Sequence, residues 1–167
     1  MSLPSNIPSL QLTTPSGTDL WRKPPSVDST SAPSSLHPPI PLSSFKSAQV
    51  TITAPWVRRY DQGGLVLYLP DRSWVKTGIE FEHGRTNVGT VATPGNGYSD
   101  WSLLPIDGEE ATIRVEREGD GPSLLVFWIR GEERVMIREV TWVGRLMSAS
   151  GAGRLTPYCR FSKRWTM

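Results

Sequence analysis

After residue 45, apolar residues recur at every second position, and this alternation predicts strands rather than helices. Ala48-Gln49-Val50-Thr51-Ile52-Thr53 alternates and stops at Pro55. Leu65 to Leu69 follows Gly63-Gly64, and Trp74 to Phe81 comes next, so 61–81 reads as a hairpin turning at Pro70-Asp71-Arg72-Ser73. Further strands are expected over Thr86–Thr93, Ala111–Arg117, Leu124–Ile129 and Val135–Val143, divided by Gly-, Pro- and Asn-rich turns. About eight strands at 8–12-residue spacing is the pattern of an all-β sandwich or jelly roll.

Residues i and i+2 of a strand share a face. Val75, Thr77 and Ile79 therefore oppose Trp74, Lys76, Gly78 and Glu80. Ala111, Ile113 and Val115 oppose Thr112, Arg114 and Glu116. Val135 and Ile137 oppose Arg134, Met136 and Arg138. The apolar faces should form the core between two sheets. The mixed faces are either plain surface or a polar concave sheet holding a ligand.

The first 44 residues read differently, with nine prolines and eleven serines. Residues 1–8 are expected to be a disordered arm, 9–23 a strand (Leu10–Thr13) and turn, and 24–44 a long loop. The domain proper then spans 9–143. From Gly144 onward Arg145, Arg154, Arg160, Lys163 and Arg164 stand without an acid, which predicts a basic, irregular tail over 144–167. Removing those five from 18 basic residues leaves 13 against 16 acids, a net of −3 for the body. So dilute a basic tail gives little reason to expect nucleic-acid binding.

Composition excludes more than it selects. Fifteen glycines and fifteen prolines in 167 residues exceed the average usage of about 12% and argue against a helical bundle. No apolar run approaches the roughly 18 residues of a membrane helix, and Met1–Ser5 carries no secretory leader pattern. One cysteine, Cys159, and two histidines, His37 and His83, leave a closed zinc site without ligands. No cofactor or metal is expected, and a cytoplasmic setting is the simpler assumption.

Seven tryptophans direct attention to sugars, whose apolar ring faces stack on indoles while polar neighbours bond the hydroxyls. Trp128, within Leu124–Ile129, reads as core. Trp74 and Trp101 stand beside polar residues and could serve either role. Asp61 and Asp100 read as turn formers. Glycoside hydrolysis needs two carboxyls roughly 5–9 Å apart, and Glu80 and Glu82 on one strand face lie about 7 Å apart. The longer Glu-x-Asp-x-x-Glu strand of jelly-roll glucanases is not matched, since position 85 is Arg.

Five pieces in order carry a family resemblance: Thr18-Asp19-Leu20-Trp21-Arg22, Tyr60-Asp61-Gln62-Gly63-Gly64-Leu65, Trp74-Val75-Lys76-Thr77-Gly78-Ile79-Glu80, Ser99-Asp100-Trp101-Ser102 and Arg138-Glu139-Val140. With them the chain resembles a fungal and bacterial domain family of unknown function that includes the regulation-of-enolase protein of yeasts. The resemblance implies a concanavalin A-like lectin/glucanase jelly roll, a sandwich of two antiparallel sheets related to the C-terminal domain of some β-xylosidases. It also implies a last strand of the type Val-Gly-x-Tyr-Ala, for which residues 144–153 offer no alternating counterpart. A missing strand would expose a sheet edge to a protein partner.

The sequence reading is thus a non-catalytic, lectin-like module for a saccharide or sugar-like metabolite, contacted by Tyr60, Gln62, Trp74, Lys76, Glu80, Trp101, Arg114 and Arg138. Arg114 and Arg138 are the expected partners of Glu80. The alternatives are a glycosidase using Glu80 and Glu82, and a protein-interaction scaffold.

Overall fold

The computed structural model describes residues 9–36, 38–119, 121–149 and, as backbone, 154–163. In chain order the strands are β1 (Leu20–Lys23), β2 (Val27–Thr30), β3 (Ser34–Leu36), β4 (Ile40–Pro41), β5 (Ser47–Thr53), β6 (Asp61–Tyr68), β7 (Trp74–Glu82), β8 (Arg85–Thr93), β9 (Asp100–Pro105), β10 (Glu110–Arg117), β11 (Leu124–Arg130), β12 (Glu133–Val140) and β13 (Arg154–Lys163). Helix α1 (Val143–Ala149) separates the last two. Among the described residues, no helix is long and apolar enough to cross a membrane.

Two antiparallel sheets form a jelly-roll sandwich. The smaller runs β12-β11-β10-β5, and the larger runs β3-β13-β6-β7-β8-β9 with β4 also paired to β13. The expected face assignment holds for β7 and β10. Leu65, Leu67, Val75, Ile79, Val88 and Ala92 of the large sheet meet Ile52, Ala111, Ile113, Val115, Leu124 and Val126 of the small one in a single core. The β6–β7 hairpin turns where the sequence places it, with Leu69 N–H donating to Ser73 O and Ser73 N–H to Pro70 O.

Four expectations need correction. Leu10–Thr13 forms no strand, because no described residue pairs with it; the first described strand begins at Leu20. Residues 24–44 are not one loop: β2, β3, β4 and a 3-10 turn at Leu42–Ser44 fall within them. Val135–Val143 stops as a strand at Val140, and Val143 opens α1. Nor are the described residues of 144–167 irregular: α1 runs to Ala149, and β13 pairs with β6 from Thr156↔Tyr68 to Lys163↔Asp61 and so covers the edge that a missing strand would expose. His37 and the arm 1–8 lie outside the described residues.

A register shift between Val126 and Phe127 sets Val126 opposite Arg138 and Phe127 opposite Met136, so Ile137 is the extra residue of a β-bulge. That extra residue reverses the alternation. Arg138 therefore does not share the face of Met136 and Arg134 as expected, but reaches across the sandwich edge to pair with Asp100 of β9.

Candidate functional site

The face of the large sheet turned away from the core is ruled by its register. Gln62, Glu80 and Asn87 form one row across β6, β7 and β8. Gly64, Gly78 and Gly89 form the next, then Val66, Lys76 and Val91, then Tyr68, Trp74 and Thr93. A two-stranded strap, β1–β2, lies over the last two rows. Its Leu20 is buried against Val66, Trp74 and Val91, with Trp21 and Tyr68 packed alongside.

One buried arginine anchors the strap. Arg22 donates from Nη1 to Gly95 O (2.7 Å) and Pro94 O (3.3 Å), from Nη2 to Arg72 O (3.2 Å) and from Nε to Asp28 (2.9 Å). It ties β1 to the turns that follow β6 and β8. Asp19 ties the strap to the sheet itself: its Oδ1 accepts from Leu20 N–H (2.8 Å), Lys76 Nζ (3.3 Å) and Gln62 Nε2 (3.4 Å). Lys76 Nζ also donates to Gln62 Oε1 at 2.7 Å.

Between strap and glycine row lies a pocket of about 30 Å³, lined by Leu20, Gln62, Lys76, Glu80 and Val91 over Gly64, Gly78 and Gly89. Those glycines are obligatory in different degrees. A Cβ on Gly64 would stand 2.1 Å from Thr77 O, and one on Gly78 2.0 Å from Gly63 O, both rigid backbone. At Gly89 it would meet the movable end of Leu103 at 2.8 Å.

Glu80 is only 9% exposed. Burial pushes its carboxyl up to about 7. Lys76 opposes that rise and Asp19 adds to it; the neighbouring Trp101 indole also opposes it, and Glu82 adds a smaller push upward. Aromatic rings pack on one another beside the glycine row: Trp101, whose Nε1 stands 3.9 Å from where a Cβ on Gly89 would be, meets Trp21 edge-on at 6.3 Å and 87°, and Tyr60 at 6.4 Å and 60°. Tyr60 is held there in a left-handed conformation (φ 68°) by the Arg58–Asp61 turn, whose amides at Val57 and Arg58 donate to Asp61 Oδ2.

A family model described as a protein of unknown function, DUF1349, matches residues 4–152. The chain belongs to the DUF1349 family. Over 135 residues this DUF1349 chain is 48% identical to an uncharacterized protein of Emericella nidulans, covering 77% of the chain and 66% of that protein. Over 85 residues it is 33% identical to Regulation of enolase protein 1 of Saccharomyces cerevisiae, covering 44% and 42%. The chain thus spans about two thirds of the first relative's length and two fifths of the second's.

Two solved structures share the fold. A functionally unknown protein from Saccharomyces cerevisiae superposes with a TM-score of 0.66 at 24% identity, over 88% of this chain and 75% of that one. The glycoside hydrolase family 43 protein BlXynB of Bacillus licheniformis gives 0.51 at 12%, over 69% and 24%. Strand β13 lies beyond the residues that the DUF1349 model matches.

Of the contact residues expected from sequence, the DUF1349 fold brings together Tyr60, Gln62, Lys76, Glu80 and Trp101. Trp74 shares their face but is 2% exposed beneath Leu20, so no ligand reaches it. Arg114 belongs to the other sheet, paired with Glu116 at 2.9 Å, and Arg138 is paired with Asp100. Neither touches Glu80. Asp61 is structural as expected, whereas Asp100 makes an inter-sheet ion pair rather than a turn. Glu82, 2% exposed, is gripped by both Arg59 Nε and Nη2 at 2.8–3.0 Å. The residues that sequence reasoning missed are Asp19, Leu20 and Trp21. They stand in one of the five family pieces, but a Pro-rich surrounding hid their role.

Proposed function

We propose that the protein is a non-catalytic, lectin-like binding module that holds a saccharide or sugar-like metabolite over the glycine row. One observation carries this reading: the exposed ring of Trp101, with the half-buried Tyr60 and Trp21 packed edge-on against it, stands beside a pocket lined by Gln62, Lys76 and Glu80, the first two bonded to Asp19. Rings that stack on apolar sugar faces and groups that bond hydroxyls are the two things a pyranose needs. The name of the yeast relative, Regulation of enolase protein 1, supports a part in regulating carbohydrate metabolism.

A glycosidase reading has less support. It needs Glu82 as second carboxyl, and Glu82 is committed to Arg59. The test is a thermal-shift screen of the full chain against sugars and central metabolites. A ligand at 100 times its dissociation constant should add about 2.7 kcal/mol of stability, and Trp101→Ala or Gln62→Ala should remove that gain while leaving a folded protein. No shift with any sugar, or a shift that both variants retain, would sink the reading.

A further inference from the structure

We propose that the sugar taken by this pocket is an amino sugar, bound as its cation, with the Glu80 carboxylate accepting from the ammonium. The inference deepens the saccharide reading above, rests on it, and names the class of sugar. Its basis is the balance of charge around the pocket. Glu80 lines the pocket and is nine-tenths buried. The two carboxylates that act on it each have a cation of their own: Glu82 pairs with Arg59 at 2.8 Å, and Asp19 with Lys76 at 3.3 Å. Among the described residues, no ion pair reaches Glu80. Lys76 attracts it but is bonded elsewhere, with Nζ donating to Asp19 Oδ1 and, at 2.7 Å, to Gln62 Oε1. Asp19 and Glu80 are two carboxylates against one ammonium, and Glu82 with Arg59 adds no net charge.

The imbalance shows in the carboxyl itself, which burial pushes up to about 7 because Lys76 offsets only part of the lost hydration. The polar neighbours on its row are committed. Gln62 bonds Lys76 and Asp19, and Asn87 Nδ2 donates to the backbone carbonyls of Glu80, Glu82 and Arg85. A ligand that brings a positive charge removes the excess through a charge-assisted hydrogen bond, the strong kind in a desolvated site. An amino sugar supplies both halves of what stands here: an apolar ring face for the exposed Trp101, which neighbours Glu80, and an ammonium for Glu80 itself. A hydroxyl in the same place would leave the carboxylate's charge unbalanced, and so would an N-acetyl group. The groups that act on Glu80 are Lys76 and Glu82 from its own strand, Asp19 from the strap and the Trp101 indole from β9. Below pH 7 the carboxyl therefore gives its proton to solvent as the ammonium docks.

The experiment is isothermal titration of the full chain at pH 6.5 with glucosamine, galactosamine and mannosamine, their N-acetyl forms, the parent hexoses and ethanolamine. Each is run in MES and in ACES, whose different ionisation heats report proton release. At least one amino sugar should bind one per chain, about tenfold or more tighter than its N-acetyl and hydroxyl counterparts. Its binding should release roughly half a proton or more. Glu80→Gln, which keeps the shape and whose fold is checked by circular dichroism, should weaken the amino sugar tenfold or more and abolish the proton release. A sugar that binds with a preference for the amine below tenfold overturns the amino-sugar inference while the saccharide reading stands. Amine binding that survives Glu80→Gln overturns Glu80 as the acceptor. Ethanolamine bound as tightly as the amino sugar would make this an ammonium site in which the sugar has no part, and overturns both readings. No binding by any of these sugars also overturns both.

Discussion

Glu80 sits on a strand face that alternation marks as polar, yet the strap and Trp101 leave it 9% exposed, and its carboxyl is pushed up to about 7. The consequence for stability follows from linkage. Between about pH 4.5 and 7 the unfolded chain gives up a proton that the folded protein keeps, so stability falls across that window and the full penalty is present above it. The rise from 4.5 to about 7 corresponds to on the order of 3 kcal/mol. Glu80→Gln, which keeps the shape and cannot ionise, should gain on the wild type as pH rises and be more stable by up to that amount at pH 8. Urea melts of both proteins at pH 5, 6.5 and 8 measure it; a constant gap between them would mean that Glu80 does not titrate there. Asp28 and Glu116, whose carboxyls are lowered by hydrogen bonds from Arg22 and Arg114, lose their contribution only as pH falls below the ordinary carboxylate range. They do not blur the window. Sequence placed Glu80 on the right face; the strap that helps to bury it comes from about 60 positions earlier.

At the scale of elements, the β6–β7 pair depends on two facing glycines. Because Gly64 and Gly78 each bring the other strand's carbonyl to where a Cβ would be, alanine at either position must push two backbones apart. A loss on the order of 3 kcal/mol or more is expected from either substitution. Gly89→Ala, which displaces only the end of Leu103, should cost about 1 kcal/mol. Denaturant melts of the three variants give the ranking, and equal costs would show that the row is merely a gap. Alternation alone reads such glycines as weak points in a strand. Their common register, and so their role as a floor, appears only when β6, β7 and β8 are laid side by side.

For the molecule as a whole, β13 decides how the large sheet ends. It separates β6 from β3 and is the strand with which β4 pairs, so deleting residues 150–167 should leave the backbone of β6 open and unpin both short strands. An open central strand is a template for another chain. The shortened protein should melt earlier and associate, as read by sedimentation velocity at several concentrations. A monomer with an unchanged melt would show that the sheet closes without β13.

The period-two pattern by itself determined the β-sandwich, the β6–β7 turn and the facing of Val75, Ile79, Ile113 and Val115 into the core, because alternation is a local property of an extended chain. Only tertiary structure decided which outward residues stay open. Leu20 covers Trp74, Arg22 reaches Gly95, and Asp19 bonds Lys76, contacts that span 50 residues or more and leave no periodic trace. A single bulge residue, Ile137, likewise moved Arg138 from the outer face to the sandwich edge, since one extra residue reverses every side chain after it. The family pieces named most of the site's residues in order; the strap that makes them a pocket rather than a sheet surface is a matter of packing.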